Sequence, residues 1–268
     1  MTLKTLQLCD PYGQLAYREA GQGDPLVLIH GVGMQSAAWG PQIAAFSTSH
    51  RVLALDMPGH GASAPLEKDS GLEDFVQWLH AALLGLGLTR VSLAGHSMGA
   101  LIVGGFAASY PQMTSRVALL NGVFRRDPAM RAAVEARAAT IRSGVFDTTS
   151  PLQRWFGNED SAARSQVEGW LAEVDPAGYA TAYSAFSKGD ATYADRFGAI
   201  PCPLLALTGE EDPNSTPAMS WAMAEAAPMG RAVIVAGHRH MVTLTAADTV
   251  NAELRKWLET AQTSEETA

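Results

Sequence analysis

The chain has 268 residues, of which 47% are hydrophobic and 17% charged, the balance of a globular protein able to bury a sizeable core. A formal net charge of −8 with no basic run argues against nucleic acid as a partner, and no apolar run is long enough to span a bilayer. The chain shows no basic start followed by an apolar stretch, and Cys9 and Cys202 form no disulfide framework or metal spacing, so a reduced, cytoplasmic setting is expected.

In chain order, Leu3 to Leu8 and Gln14 to Glu19 are strand-like and flank Asp10-Pro11-Tyr12-Gly13, turn chemistry that predicts a hairpin. Pro25 to Ile29 is a continuous apolar run, as in a strand covered on both faces of a parallel sheet, and it leads into His30-Gly31-Val32-Gly33. A helix is predicted from about Ala38 to Phe46 and a strand from Arg51 to Leu55, followed by the loop Asp56-Met57-Pro58-Gly59-His60-Gly61. From Leu72 the apolar positions 72, 75, 76, 79, 83 and 86 keep helical spacing.

The stretch 90–105 organises the rest. Val91 to Ala94 has strand character, Ala100 to Ala108 is helix-compatible, and Gly95-His96-Ser97-Met98-Gly99 lies between them. This is Gly-x-Ser-x-Gly at a strand-to-helix turn, the nucleophile elbow. So tight a turn strains the serine backbone and leaves no room for side chains two residues to either side. The hydroxyl then stands at the positive end of the next helix, where a developing oxyanion is stabilised.

Another strand is predicted at Arg116 to Leu120, after which the alternation stops at Asn121. Helical segments are predicted at about 128–142, 161–173 and 176–187, with strands again at Pro203 to Leu207 and Ala232 to Ala236 and a last helix from about Ala246 to Thr260. The fold class expected is therefore α/β, a mostly parallel doubly wound sheet with an inserted helical lid. Residues 1–121 and 199–262 would form the core, 122–198 the lid, and 263–268 a frayed tail.

The order of His30-Gly31-Val32-Gly33, Asp56 to Gly61, Gly95 to Gly99, Gly209-Glu210-Glu211-Asp212 and Gly237-His238-Arg239-His240 resembles that of α/β-hydrolases. It is most similar to the bacterial catabolic branch of enol-lactonases, carboxylesterases, ring-fission C–C hydrolases and amide hydrolases. The resemblance implies a triad in the order Ser, acid, His. Ser97 is the expected nucleophile, and Asp212 is the expected acid, with Glu210 and Glu211 solvated neighbours. His238 and His240 both lie in the last loop, and counting back from the final helix favours His240 as base. The resemblance further implies an oxyanion hole from the backbone amides of Val32 and Met98. His30, His96 and Asp56 are expected to brace loops, and Trp39 and Met34 to pack in the core.

Only the lid bears on substrate. Between residues 125 and 164 stand seven arginines against five acids, and Arg125-Arg126 follows the strand end, where a guanidinium could clamp a substrate carboxylate. The bland alternative is solvated lid helices with local pairs such as Arg131–Glu135. Tyr179, Tyr183 and Phe186 recur at helical spacing as an apolar underside, with Tyr183 a candidate substrate contact beside Arg125 and Arg126. The expectation is a serine hydrolase, needing no metal or organic cofactor, that cleaves a small, carboxylate-bearing ester, enol-lactone or amide in a catabolic pathway. The alternatives are a C–C hydrolase of a β-dicarbonyl ring-fission product and a non-catalytic small-molecule receptor on the same fold.

Overall fold

The computed structural model describes residues 2–159 and 161–261; the tail expected at 263–268 lies outside them. Eight strands form one sheet: β1 (Leu3–Gln7), β2 (Gln14–Ala20), β3 (Pro25–Ile29), β4 (Arg51–Leu55), β5 (Val91–His96), β6 (Thr114–Leu120), β7 (Leu204–Gly209) and β8 (Gly230–Val235). Their spatial order is β1-β2-β4-β3-β5-β6-β7-β8. The β1–β2 and β2–β4 pairs are antiparallel, and from β4 to β8 every pair is parallel. The central strands are buried on both faces, which is why they read as unbroken apolar runs rather than as alternation.

The helices are α1 (Gly40–Phe46), α2 (Leu72–Gly85), α3 (Met98–Ser109), α4 (Pro128–Arg142), α5 (Thr149–Phe156), α6 (Ala162–Glu173), α7 (Pro176–Lys188), α8 (Pro217–Ala226), α9 (Val242–Thr245) and α10 (Ala247–Glu259). One face of the sheet packs on α1 and α10 through Ile43, Phe46, Val250, Leu254 and Trp257. The other packs on α2 and α3 through Phe75, Val76, Leu79, Ile102, Val103 and Phe106. Burying each such side chain contributes ~1.5–3 kcal/mol. The buried stripe of α2 is wider than the spacing indicated, because Trp78 and Ala82 also point inward. Helix α3 is buried at every position except Leu101 and Ser109, being enclosed by the sheet, α2 and the segment near Tyr193.

Between β6 and β7 the described chain is helical throughout, with α4 to α7 and two short 3-10 turns (Gly189–Ala191 and Ala194–Ala199). Asp127 caps α4 by accepting from the Met130 amide at 2.8 Å, with Pro128 at the first helical position. Asp175 caps α7 in the same way from the Gly178 amide at 2.7 Å. Helix α5 is the element of this segment that the sequence reading leaves out, as it does α8 and α9 elsewhere. It has only eight residues, ended by Gly157 with φ +63°, and too few turns for a period to stand out. No helix among the described residues is long and apolar enough to cross a membrane.

Candidate active site

The loops at the carboxyl ends of the parallel strands meet over β5, as expected for ligand sites of open α/β sheets. Ser97, between β5 and α3, has φ +56° and ψ −114°, a region closed to most side chains. Its neighbours explain how the turn exists. A methyl group at Gly95 would lie 2.1 Å from the Gly99 carbonyl oxygen, and one at Gly99 2.1 Å from that of Ile29. The β3 loop also passes close, since a Cβ at Gly31 would lie 3.0 Å from that of Ser97. Val32 and Ser97 consequently line one cavity. Among the described residues neither the Val32 nor the Met98 amide has a hydrogen-bond partner, so both are available to an anionic oxygen.

Asp212 follows β7 and His240 follows β8. The His240 Nδ1–H donates to Asp212 Oδ2 at 2.7 Å, so Nε2 is the free ring nitrogen. Asp212 Oδ2 also accepts from Asn121 Nδ2 at 2.9 Å, and Oδ1 from the Asn214 and Ser215 amides at 2.8 and 3.2 Å. Burial, the strongest single influence on Asp212, would raise its pKa; His240, Asn121 and the Asn214 amide together outweigh it and hold the carboxyl below its ordinary value. Ser97, Asp212 and His240, some 28 to 143 positions apart in the chain, are thus brought to one place, with Ser97 and His240 facing the cavity. His238 is not: its Nδ1 pairs with Thr245 Oγ1 at 3.0 Å.

The surrounding histidines brace. His30 Nε2 accepts from the Met57 amide at 2.9 Å, and its Nδ1 meets the Gly31 carbonyl at 2.8 Å. The Nε2–H of His96 donates to the His240 carbonyl at 2.8 Å, tying β5 to the last loop. Burial pushes His30 down to about 4 and His96 to about 3, so both are neutral, as the lone pair that His30 Nε2 offers the Met57 amide requires. His60, missed in the sequence, does the same for the Gly33 amide at 3.0 Å. Asp56 accepts from the Ser36 and Ala62 amides. Trp39 and Met34 are buried in the core.

The cavity, about 210 Å³, is lined by Val32, Ser97 and His240 on the sheet side and by residues of α4, α5 and α7 above. Among the described residues, three arginines line it, Arg126, Arg137 and Arg154, and no carboxylate does. Arg126 lies over the Phe186 ring, its Cζ 4.5 Å from the centroid, and its Nη1 donates to Asp190 Oδ1 at 3.1 Å. Its Nη2 is buried with no hydrogen-bond partner. Burial lowers its pKa, and Asp190 opposes the shift. Arg137 Nε donates to the Tyr183 hydroxyl at 3.1 Å, which places Tyr183 in the cavity wall. Arg154, on α5, has no hydrogen bond or ion pair among the described residues. Its neighbour Trp155 stacks on His240 with ring centroids 5.9 Å apart at 23°.

Two expectations need correction. Arg125 does not line the cavity: it has a φ of +45°, and it pairs at the surface with Asp195. Nor does Arg131 pair with Glu135, because its Nη2 reaches buried Asp190 at 3.2 Å instead. Arg137 could have been found, since Met130, Ala133, Val134 and Arg137 recur at helical spacing on the α4 face that lines the cavity. Arg154 and Asn121 carried no such signal.

A strained serine on a glycine-flanked elbow, under a parallel sheet's loops and beside a His–Asp pair, defines a hydrolase architecture. The chain belongs to the Alpha/beta hydrolase family, whose model matches residues 26–253. It is 49% identical over 262 residues to the (E)-2-((N-methylformamido)methylene)succinate hydrolase of Acinetobacter baylyi, a match covering 97% of this chain and 99% of that protein. The fold is also that of the enol-lactonase from Burkholderia xenovorans (TM-score 0.86, 24% identity, 96% and 100% of the two chains). A malate-bound thermophilic esterase from Thermogutta terrifontis shares it too (TM-score 0.84, 23% identity, 96% and 98%).

Proposed function

We propose that this hydrolase acts through Ser97, His240 and Asp212 on a small dicarboxylate, and that its substrate is (E)-2-((N-methylformamido)methylene)succinate or a near analogue. The observation that carries the reading is the cavity lining among the described residues: Ser97 and His240 on one wall, three arginines and no carboxylate on the others. Two carboxylates in so small a space need at least two cationic partners to offset their desolvation. The 49% identity to a hydrolase named for such a compound supports the same substrate class.

In this reading His240 Nε2 takes the Ser97 proton as Oγ attacks the formamide carbonyl. Asp212 keeps the imidazole in the required tautomer and stabilises its charge. The Val32 and Met98 amides receive the oxyanion, each worth ~2.7–4 kcal/mol in the transition state. Collapse breaks the C–N bond, and His240 returns the proton to the departing nitrogen. That nitrogen is conjugated through the double bond to a carboxylate, which makes it a better leaving group than a simple amine. A water molecule, deprotonated by His240, then attacks the formyl-serine ester and releases formate. The arginines hold the succinate moiety so that the carbonyl meets Ser97.

The test is formate release from that substrate by the wild type and by Ser97→Ala, together with labelling of both by a fluorophosphonate probe. Formate and labelling in the wild type alone are expected. Labelling that survives Ser97→Ala would place the nucleophile elsewhere; labelling without formate release would reject the substrate and keep the serine chemistry.

A further inference from the structure

We infer that Asn121 is a positioning residue for the reaction, holding the Asp212 carboxylate in register with the His240 ring. The inference rests on the reading of Asp212 as the acid of the site. Asn121 is the first residue after β6, fully buried, with φ +48°. Asparagine tolerates this left-handed conformation better than most residues, and it still costs free energy. Its main chain is pinned on both sides. The amide donates to the Leu207 carbonyl at 2.7 Å, and the carbonyl accepts from Ser215 Oγ at 2.6 Å. With the backbone fixed, the positive φ directs the side chain at the Asp212 loop.

There the Nδ2 group meets Asp212 Oδ2 at 2.9 Å, Thr208 Oγ1 at 3.1 Å and the Arg239 carbonyl at 3.3 Å. The carboxylate and the carbonyl can only accept. Thr208 Oγ1 spends its proton on the Ser215 carbonyl at 2.6 Å. The amide orientation is therefore forced by chemistry: NH₂ faces the acceptors. The cost falls on Oδ1, which is buried without a partner. A strained backbone and an orphaned acceptor are both accepted to deliver one donor. The oxygen it reaches is the same Asp212 Oδ2 that accepts the hydrogen bond from His240 Nδ1–H. That donor restrains carboxylate rotation and favours its charged form. It also ties the end of β6 to the loops after β7 and β8, which between them carry Asp212 and His240. Nothing in the local sequence marks it, because the contact spans 91 positions.

The experiment is the second-order rate of Ser97 labelling by a fluorophosphonate in the full chain, which reports serine activation independently of the natural substrate. Four proteins are compared: wild type, Asn121→Gly, Asp212→Ala and the double variant. Glycine keeps the positive φ and loses only the amide. Asn121→Gly should label about ten- to a hundredfold more slowly, the effect of one hydrogen bond to a charged group. In the Asp212→Ala background the same change should cost nothing further, since it acts through Asp212. Wild-type labelling by Asn121→Gly, or an equal further loss in both backgrounds, would overturn the inference. Asp212→Ala labelling like the wild type would remove the reading of Asp212 and the inference with it. Should the glycine variant fail to fold, Asn121→Asp keeps size and φ tolerance but sets a second carboxylate against Oδ2. It should lose at least as much, and near-wild-type labelling by it would equally overturn the inference.

Discussion

Replacing Arg154 by Gln should separate function from stability. The guanidinium is half-buried at the cavity wall and has no hydrogen bond or ion pair among the described residues. Burial lowers its pKa and Arg137 adds to the shift, while Tyr183, Tyr179 and Asp147 oppose it. Holding a half-buried charge without such a partner is unfavourable, so removing it breaks no hydrogen bond or ion pair among the described residues. The melting temperature should stay within a degree or two or rise, as for surface changes worth about ±0.5 kcal/mol. Catalysis should move the other way. Charge-assisted bonds contribute ~1.5–3 kcal/mol each, which at 1.36 kcal/mol per decade is roughly ten- to a hundredfold in kcat/KM. The assay is kcat/KM for the dicarboxylate and for its dimethyl ester, with thermal unfolding of the same samples. Loss should be confined to the dianion. An equal loss on both substrates, or a fall in stability matching the fall in rate, would refute the assignment of Arg154 to a carboxylate.

Two further substitutions probe the frame. His240→Ala should lower kcat by several orders of magnitude and His238→Ala by much less, because only the former ring is bonded to Asp212; the reverse ranking in steady-state kinetics would move the base to His238. Gly99→Ala would set a methyl carbon 2.1 Å from the Ile29 carbonyl oxygen, so β3 or the elbow must shift. Its melting temperature and fluorophosphonate labelling should both drop sharply, and wild-type values for either would mean that the elbow is less tightly packed than its geometry implies.

Much of the molecule is legible in the sequence because the physics behind it is local. A strand covered on both faces must be apolar throughout, so β3, β5 and β7 can be read directly. The elbow is legible because steric exclusion allows only glycine at Gly95 and Gly99. Helices α4, α6 and α7 are long enough for periodicity and caps to show; α5 is not. What tertiary structure decided is which of many polar side chains face one another. Arg125 and Arg126 are neighbours in sequence, yet one pairs with Asp195 at the surface and the other with buried Asp190 beside the cavity. No local rule separates them, since both acids lie more than sixty positions away. The same holds for Asn121, Arg154 and Trp155. Their roles come from contacts that exist only once the sheet brings distant loop ends together, because a hydrogen bond depends on geometry across space and not on residue type along the chain.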